Sequence, residues 1–118
     1  MVRRCETERH DHHDVYAAQC PCRDVLDLLA NKWSALAIGA MEERPQRFGA
    51  LQRRLEGVSP KVLTATLRRL EDRGFVERTV YPAVPLHVEY ELTPLGRSVA
   101  EPLAQLRTWV EDHLDEIG

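Results

Sequence analysis

The stretch Ser59-Pro60-Lys61-Val62-Leu63-Thr64-Ala65-Thr66-Leu67-Arg68-Arg69-Leu70-Glu71-Asp72-Arg73-Gly74 decides the fold. Ser59 is a good N-cap, because its hydroxyl can accept from the unpaired N–H groups of a first helical turn. Pro60 follows at the first helical position, where a missing N–H costs nothing. Gly74 stands just past the far end, where a left-handed residue closes a helix. Between them Leu63, Leu67 and Leu70 recur at helical spacing and line one face. At about 100° per residue, Lys61, Ala65, Arg68 and Asp72 fall on the opposite face, with Thr64 and Arg69 at its margins. The expectation is a helix over 59–73 with one leucine face and one long, mainly basic face.

On its N-terminal side, Phe48, Leu51 and Leu55 predict a short helix over 48–55, closed by Gly57. Arg47-Phe48-Gly49 suits one short strand or a tight lead-in to that helix. Pro45 ends an earlier helix, expected over 33–43 with Trp33, Leu36, Ala37, Ala40 and Met41 facing inward. Asn31-Lys32 reads as a joint. Before it, Cys20-Pro21 opens a first helix with Val25, Leu28 and Leu29 in period. Residues 1–19 are polar, have no apolar period, and are expected to form a mobile arm ahead of a single domain over 20–118.

On the C-terminal side, residues 75–92 predict a hairpin. Phe75 to Tyr81 is rich in β-branched and aromatic residues, Pro82-Ala83-Val84-Pro85 must turn, and Val88, Tyr90 and Leu92 alternate with Glu89 and Glu91. Thr93-Pro94 then caps a final helix over 93–117, in which Leu95, Val99, Leu103, Leu106, Val110, Leu114 and Ile117 recur at three and four. Pro102 is expected to kink or divide it. About 25 helical residues extend nearly 40 Å, more than a small core covers. Part of the stripe, taken as Leu103, Leu106, Trp109, Val110 and Leu114, is therefore expected to meet a second subunit.

The composition agrees with a small protein of this kind. The chain has 118 residues, 43% of them hydrophobic and 30% charged. No apolar run approaches the roughly 20 residues of a membrane span, and Arg3-Arg4 precede no hydrophobic segment, so neither a leader nor a membrane anchor is expected. Three cysteines are too few, and odd in number, for a disulfide framework, which points to a reducing cytoplasm. Net charge is −3, but the distribution matters more than the total. Between Arg44 and Arg78, Arg44, Arg47, Arg53, Arg54, Lys61, Arg68, Arg69, Arg73 and Arg78 face only Glu56, Glu71, Asp72 and Glu77. A basic middle between acidic flanks suits one surface that meets a polyanion.

Two helices on a short connection, the second with a basic outer face, followed by a hairpin, describe a winged helix-turn-helix of mainly helical α+β class. An α-helix fits the DNA major groove, its first turns reach base edges, and a hairpin alongside touches the neighbouring minor groove or phosphates. Several motifs run in order along the chain. They are Cys20-Pro21, Asn31-Lys32-Trp33, Arg47-Phe48-Gly49-Ala50-Leu51, Ser59-Pro60-Lys61-Val62-Leu63-Thr64 and Leu70-Glu71-Asp72-Arg73-Gly74-Phe75-Val76-Glu77-Arg78. Tyr81-Pro82-Ala83-Val84-Pro85, Val88-Glu89-Tyr90-Glu91-Leu92-Thr93 and Leu95-Gly96 follow. Together they resemble the HxlR family of bacterial transcriptional regulators, which is similar in outline to the MarR group. The resemblance covers roughly 20–110. It implies a homodimeric DNA-binding protein on a palindromic operator, not an enzyme, with the 59–73 helix reading DNA, residues 82–87 as the wing, and the N-terminal helix with the C-terminal helix making the dimer. It also implies control by electrophiles or oxidants through cysteine. One departure stands out: the family commonly has Arg or Lys before Val88-Glu89-Tyr90, and this chain has His87.

The candidate DNA-binding residues are Ser59, Lys61, Thr64, Ala65, Arg68, Arg69, Arg73, Arg47, Arg53 and His87. Arg68 lies at mid-face and suits a guanine, while Arg69 and Arg73 suit phosphate; Arg53 and Arg54 fit phosphate contact and plain solvation equally. Cys20 is the candidate sensing thiol, because an N-cap position beside Arg23 favours thiolate. Cys22 and Cys5 are candidate partners, and a strained Cys-Pro-Cys bridge is disfavoured against an intersubunit bond. The expected protein is a repressor released by cysteine modification, with no cofactor. Two alternatives stay open. Cys5, His10, His12, His13, Cys20 and Cys22 are ligand types that zinc or copper would select, although their spacing matches no specific metal pattern. A winged helix can also serve protein–protein contact. A thiol enzyme has less support, since no His–acid pair is placed near Cys20.

Overall fold

Proline, serine, threonine and glycine placed at element ends set where this chain turns. The computed structural model describes residues 13–118. Their order is α1 (Pro21–Leu29), α2 (Lys32–Ala40), β1 (Gln46–Arg47), α3 (Phe48–Arg54), α4 (Pro60–Asp72), β2 (Val76–Tyr81), β3 (His87–Leu92) and α5 (Pro94–Ile117). They fall into two compact units, one ending at Lys32 and carrying α1, the other running Trp33–Gly118. No helix among the described residues is long and apolar enough to cross a membrane.

The second unit is a mainly helical winged helix-turn-helix, as its sequence pattern predicts. Its core joins Ala37, Ile38 and Met41 to Leu51 and Leu55, to Leu63, Leu67 and Leu70, and to Phe75, Val76, Leu92 and Ala100, all buried. Removing one leucine side chain from water contributes about 1.5–3 kcal/mol, so the three leucines of α4 alone anchor that helix firmly. The inward face of α2 differs from the expected one: Ile38 and Ser34 are buried and Leu36 is exposed. A helix reading Trp-Ser-Ala-Leu-Ala-Ile-Gly-Ala is small or apolar on every side, so periodicity alone cannot choose its face.

The sheet is antiparallel in the order β1-β3-β2. β2 and β3 pair throughout from Val76↔Leu92 to Tyr81↔His87, and β1 adds Gln46↔Tyr90 and Arg47↔Glu89. β3 is thus central, which is why His87 to Glu91 are half-buried on both of its faces where simple alternation predicts an exposed glutamate side. The Gln46 amide donates to the Ala40 carbonyl at 3.0 Å, so the first strand also caps the end of α2.

Thr93 caps α5, its hydroxyl accepting from Gly96 N–H at 3.1 Å. α5 runs through Pro102 as one helix of 24 residues; a proline there removes one backbone donor without dividing the helix. The apolar stripe is also shared differently from expectation. The residues of α5 that are buried are Gly96 and Ala100, and Leu95 is half exposed. Small residues let the helix axis approach the sheet closely, and the larger leucines beside them stay outside.

Candidate nucleic-acid interface

The α4 helix is built as its sequence predicts. Ser59 is the N-cap of α4 and accepts from Val62 N–H at 3.1 Å. At the other end Phe75 N–H donates to Leu70 O at 2.9 Å, and Gly74, at φ +85°, carries the left-handed residue that this closure requires. The helix therefore ends in a defined geometry, and the strand that follows leaves it at a set angle. Before α4, Gly57 at φ +93° turns the chain and Val58 buries its side chain, which fixes the α3–α4 connection.

Pro60, Lys61, Thr64, Ala65 and Arg68 line one shallow groove along the outer face of α4. Arg69 and Arg73 are exposed beside it. A short side chain at Ala65 between longer polar ones leaves room for a base edge or a thymine methyl, while Arg68 can span a guanine. Arg68 also faces the sheet: with Thr64, Leu67, Glu71, Arg78 and Tyr90 it lines a small cavity where helix and hairpin meet. Arg78 pairs with Glu71 at 3.8 Å. Thr66 on the inner side is buried, a polar position that the leucine pattern conceals.

The remaining predicted DNA-binding residues belong to other elements, α3 and the sheet. Arg47 is the N-cap of α3 and lies opposite Glu89, and Arg53 is exposed near the end of α3. His87 lies in β3, not in the turn where the wing was expected to present it. Its ring stacks on Tyr81, with centroids 4.9 Å apart and planes at 18°, and its Nε2 is 3.4 Å from a Glu89 oxygen. Direct cross-strand pairing of Tyr81 and His87 causes this, because opposite side chains on one sheet face meet.

α5 is held to the helix-turn-helix by two arginines that the sequence reading passes over. The Arg107 guanidinium donates to Ala35 O at 3.3 Å and lies 3.5 Å from the Glu42 carboxylate, while Arg97 donates to Glu42 O at 3.3 Å. Gly39 makes this possible, since a side chain there would begin 2.7 Å from the guanidinium carbon. Arginines spaced ten apart on a charged helix carry no sequence signal; a glycine inside a core helix is the only hint. Of the five expected dimer residues, Leu103 is half-buried and Leu106, Trp109, Val110 and Leu114 are exposed. Trp109 stacks on His113 with centroids 4.4 Å apart, and the His113 ring bonds the Trp109 carbonyl at 2.8 Å.

In the first unit Cys20 is the N-cap of α1 with Pro21 at the first helical position, as expected. The thiol is not free: Cys20 and Cys22 form a disulfide, and Cys20 is buried. This corrects the expectation that a Cys-Pro-Cys bridge would be disfavoured. Cys20 has extended backbone (φ −78°, ψ 126°) before the helix begins, and that corner brings the two Cα atoms to 5.3 Å, inside the usual range for a bridge. Cys5, His10 and His12 lie outside the described residues. Among the described residues no group of three or more His, Cys, Asp or Glu is placed to hold a metal.

Comparison with known proteins gives concordant matches. A family model described as HxlR-like helix-turn-helix matches residues 28–117. The HTH-type transcriptional regulator YtfH of Escherichia coli K12 is 45% identical over 104 residues, covering 88% of this chain and 82% of that protein. The structure of a transcriptional regulator, ytfH from Salmonella typhimurium, superposes with a TM-score of 0.84 at 42% identity, covering 89% of this chain and 94% of that one. The redox regulator HypR in its oxidized form superposes with a TM-score of 0.73 at 35% identity, covering 79% and 96%.

Proposed function

As a member of the HxlR-like helix-turn-helix family this chain is a transcriptional regulator and not an enzyme, and we propose that it acts as a cytoplasmic homodimeric repressor on a palindromic operator, with its affinity set by the redox state of Cys20 and Cys22. The observation that carries the DNA half is the outer face of α4. Lys61, Thr64, Ala65 and Arg68 line one exposed groove on a helix capped at both ends, and Arg69 and Arg73 flank it for phosphate. The dimer reading rests on the exposed Leu106, Trp109, Val110 and Leu114 of α5.

The redox half rests on the Cys20–Cys22 disulfide at the start of α1 and on the likeness to HypR. Reduction by a thiol takes two electrons and two protons and returns both cysteines as thiols; an oxidant such as diamide reverses it. A closed ring at the N-cap constrains the first turn of α1, and opening it frees that turn. Oxidation, or addition of a quinone to the Cys20 thiolate, is expected to release the operator.

The test is a shift assay on a palindromic fragment upstream of the gene, at rising salt, with and without diamide, with reductant added back. A steep loss of affinity with salt is expected, because each neutralised phosphate releases counterions; a flat response would favour a protein-interaction module. Cys20→Ser and Cys22→Ser should each abolish diamide release and Cys5→Ser should not. Full release from Cys20→Ser, or release by zinc or copper in place of oxidant, would overturn the redox reading and leave the DNA reading standing.

A further inference from the structure

The end of the wing carries no charge. From Pro82 to Leu86 the chain reads Pro-Ala-Val-Pro-Leu, with Val84 99% and Leu86 66% exposed. Val80 and Tyr81 are exposed just behind them. On a chain that is 30% charged, an apolar cluster of this kind, rimmed by polar residues, marks a contact surface.

The base of the tip is held. Tyr81 and His87 close the ladder as a cross-strand pair with stacked rings, and Glu89 sits 3.4 Å from the imidazole. Pro82 and Pro85 restrict the backbone between them. A tip ordered in advance loses little entropy on contact.

Its position identifies the partner. Gly74 and Phe75 join α4 directly to β2, and Arg78 and Tyr90 of the sheet share a cavity with Thr64 and Arg68 of α4. The hairpin that ends in this tip is therefore packed against the helix that carries Lys61 and Arg68. Phosphates would call for Arg or Lys at such a tip; aliphatic groups suit sugar faces and the edges of base steps, where apolar side chains insert from the minor groove and open a step.

We propose that Val84 and Leu86 form an apolar wedge that enters the minor groove beside the site read by α4 and selects deformable pyrimidine–purine steps there, an inference that rests on the DNA-binding reading above. TA and CA steps unstack at least cost, so the wedge adds sequence preference without a base-specific hydrogen bond. It also adds no phosphate contact, so its loss leaves the salt dependence unchanged.

The experiment selects duplexes from a randomised pool with the unmodified protein, with the Val84→Ala/Leu86→Ala double variant, with Leu86→Arg and with Arg68→Ala. The unmodified protein is expected to enrich a core sequence flanked at fixed distance by TA or CA steps. The double variant should keep the core, lose the flanking preference, and bind the parental duplex about tenfold more weakly at the same salt slope. Leu86→Arg should also lose the step preference while raising the salt slope by about one. Flanks and affinity unchanged in the double variant, or a core without flanking preference in the unmodified protein, overturn the wedge. If no core is enriched, or Arg68→Ala leaves the core intact, the DNA reading by α4 fails and the wedge falls with it. Since the tip is exposed, folding is not at stake in these variants.

Discussion

Arg68 and Lys61 stand on the same face of α4, but their places on it predict different losses. Arg68 is at mid-helix and lines both the outer groove and the cavity shared with the sheet, a place from which, under the proposed reading, its guanidinium would reach base edges. Arg68→Ala should weaken operator binding by about 1–3 kcal/mol and relax preference at one base pair. Lys61 is in the first turn, and its ammonium is a point charge on a flexible stem. Lys61→Ala should weaken all sequences alike and reduce the salt slope by about one. Titrating both variants against the selected operator and against single-base variants at several salt concentrations separates the two; binding indifferent to both changes would exclude α4 as the reading helix. The outward face of α4 was legible in the sequence, because a cap, a first-position proline and a leucine face fix which side of a helix meets solvent. The extended corner at Cys20 was legible as well, because the residue before a proline favours extended backbone, but the Cys20–Cys22 pairing was not, since a two-residue spacing reads as strained.

Among the elements, two glycines show how close approach is used and what it costs to lose. A Cβ on Gly96 would lie 2.1 Å from the Phe75 carbonyl oxygen, a backbone atom that also accepts from Thr93 N–H at 3.1 Å. Nothing there can yield without lifting the first turn of α5 from the α4–β2 junction. Gly96→Ala should therefore destabilise the fold by about 1–3 kcal/mol or more, read as a lower urea midpoint. A Cβ on Gly39 meets the Arg107 guanidinium at 2.7 Å, the far end of a flexible side chain that can swing away. Gly39→Ala should cost about 1 kcal/mol for the hydrogen bonds to Ala35 and Glu42, and Arg107→Ala in the same background should add little further. Equal midpoints for the two glycine variants would contradict this distinction. The α4 helix and the hairpin were legible as elements because caps, prolines and β-branched runs punctuate them. The inward face of α2 and the pairing of β1 with β3 were not: the first is apolar all round, and the second is two residues long and is defined by a partner more than forty positions away.

For the whole molecule, the long α5 poses the question of what covers it. Leu106, Trp109, Val110, Leu114 and Ile117 are each between 42% and 64% exposed, whereas the burial on this helix falls nearer its start, at Gly96 and Ala100. A row of five large apolar side chains on the outer half of one helix is more than a monomer leaves in water without function, and their recurrence at three and four is the spacing at which two such helices interlock. A second copy packed along this row would relate two α4 helices by a twofold axis, and a palindromic operator requires them about 34 Å apart, one DNA turn. Placing Glu at Leu106 and at Leu114 puts two carboxylates into that seam on each subunit, where burying unpaired charge outweighs the remaining apolar contact. Sedimentation should then report a monomer in place of a dimer, with the helical circular dichroism retained because neither residue belongs to the core. Operator affinity should fall by far more than any single α4 substitution causes, since each monomer reaches one half-site only and the gain from linked half-sites disappears. A monomer in the unmodified protein, or a Leu106→Glu/Leu114→Glu variant that binds the full operator as before, would show that α5 does not set the spacing of the recognition helices.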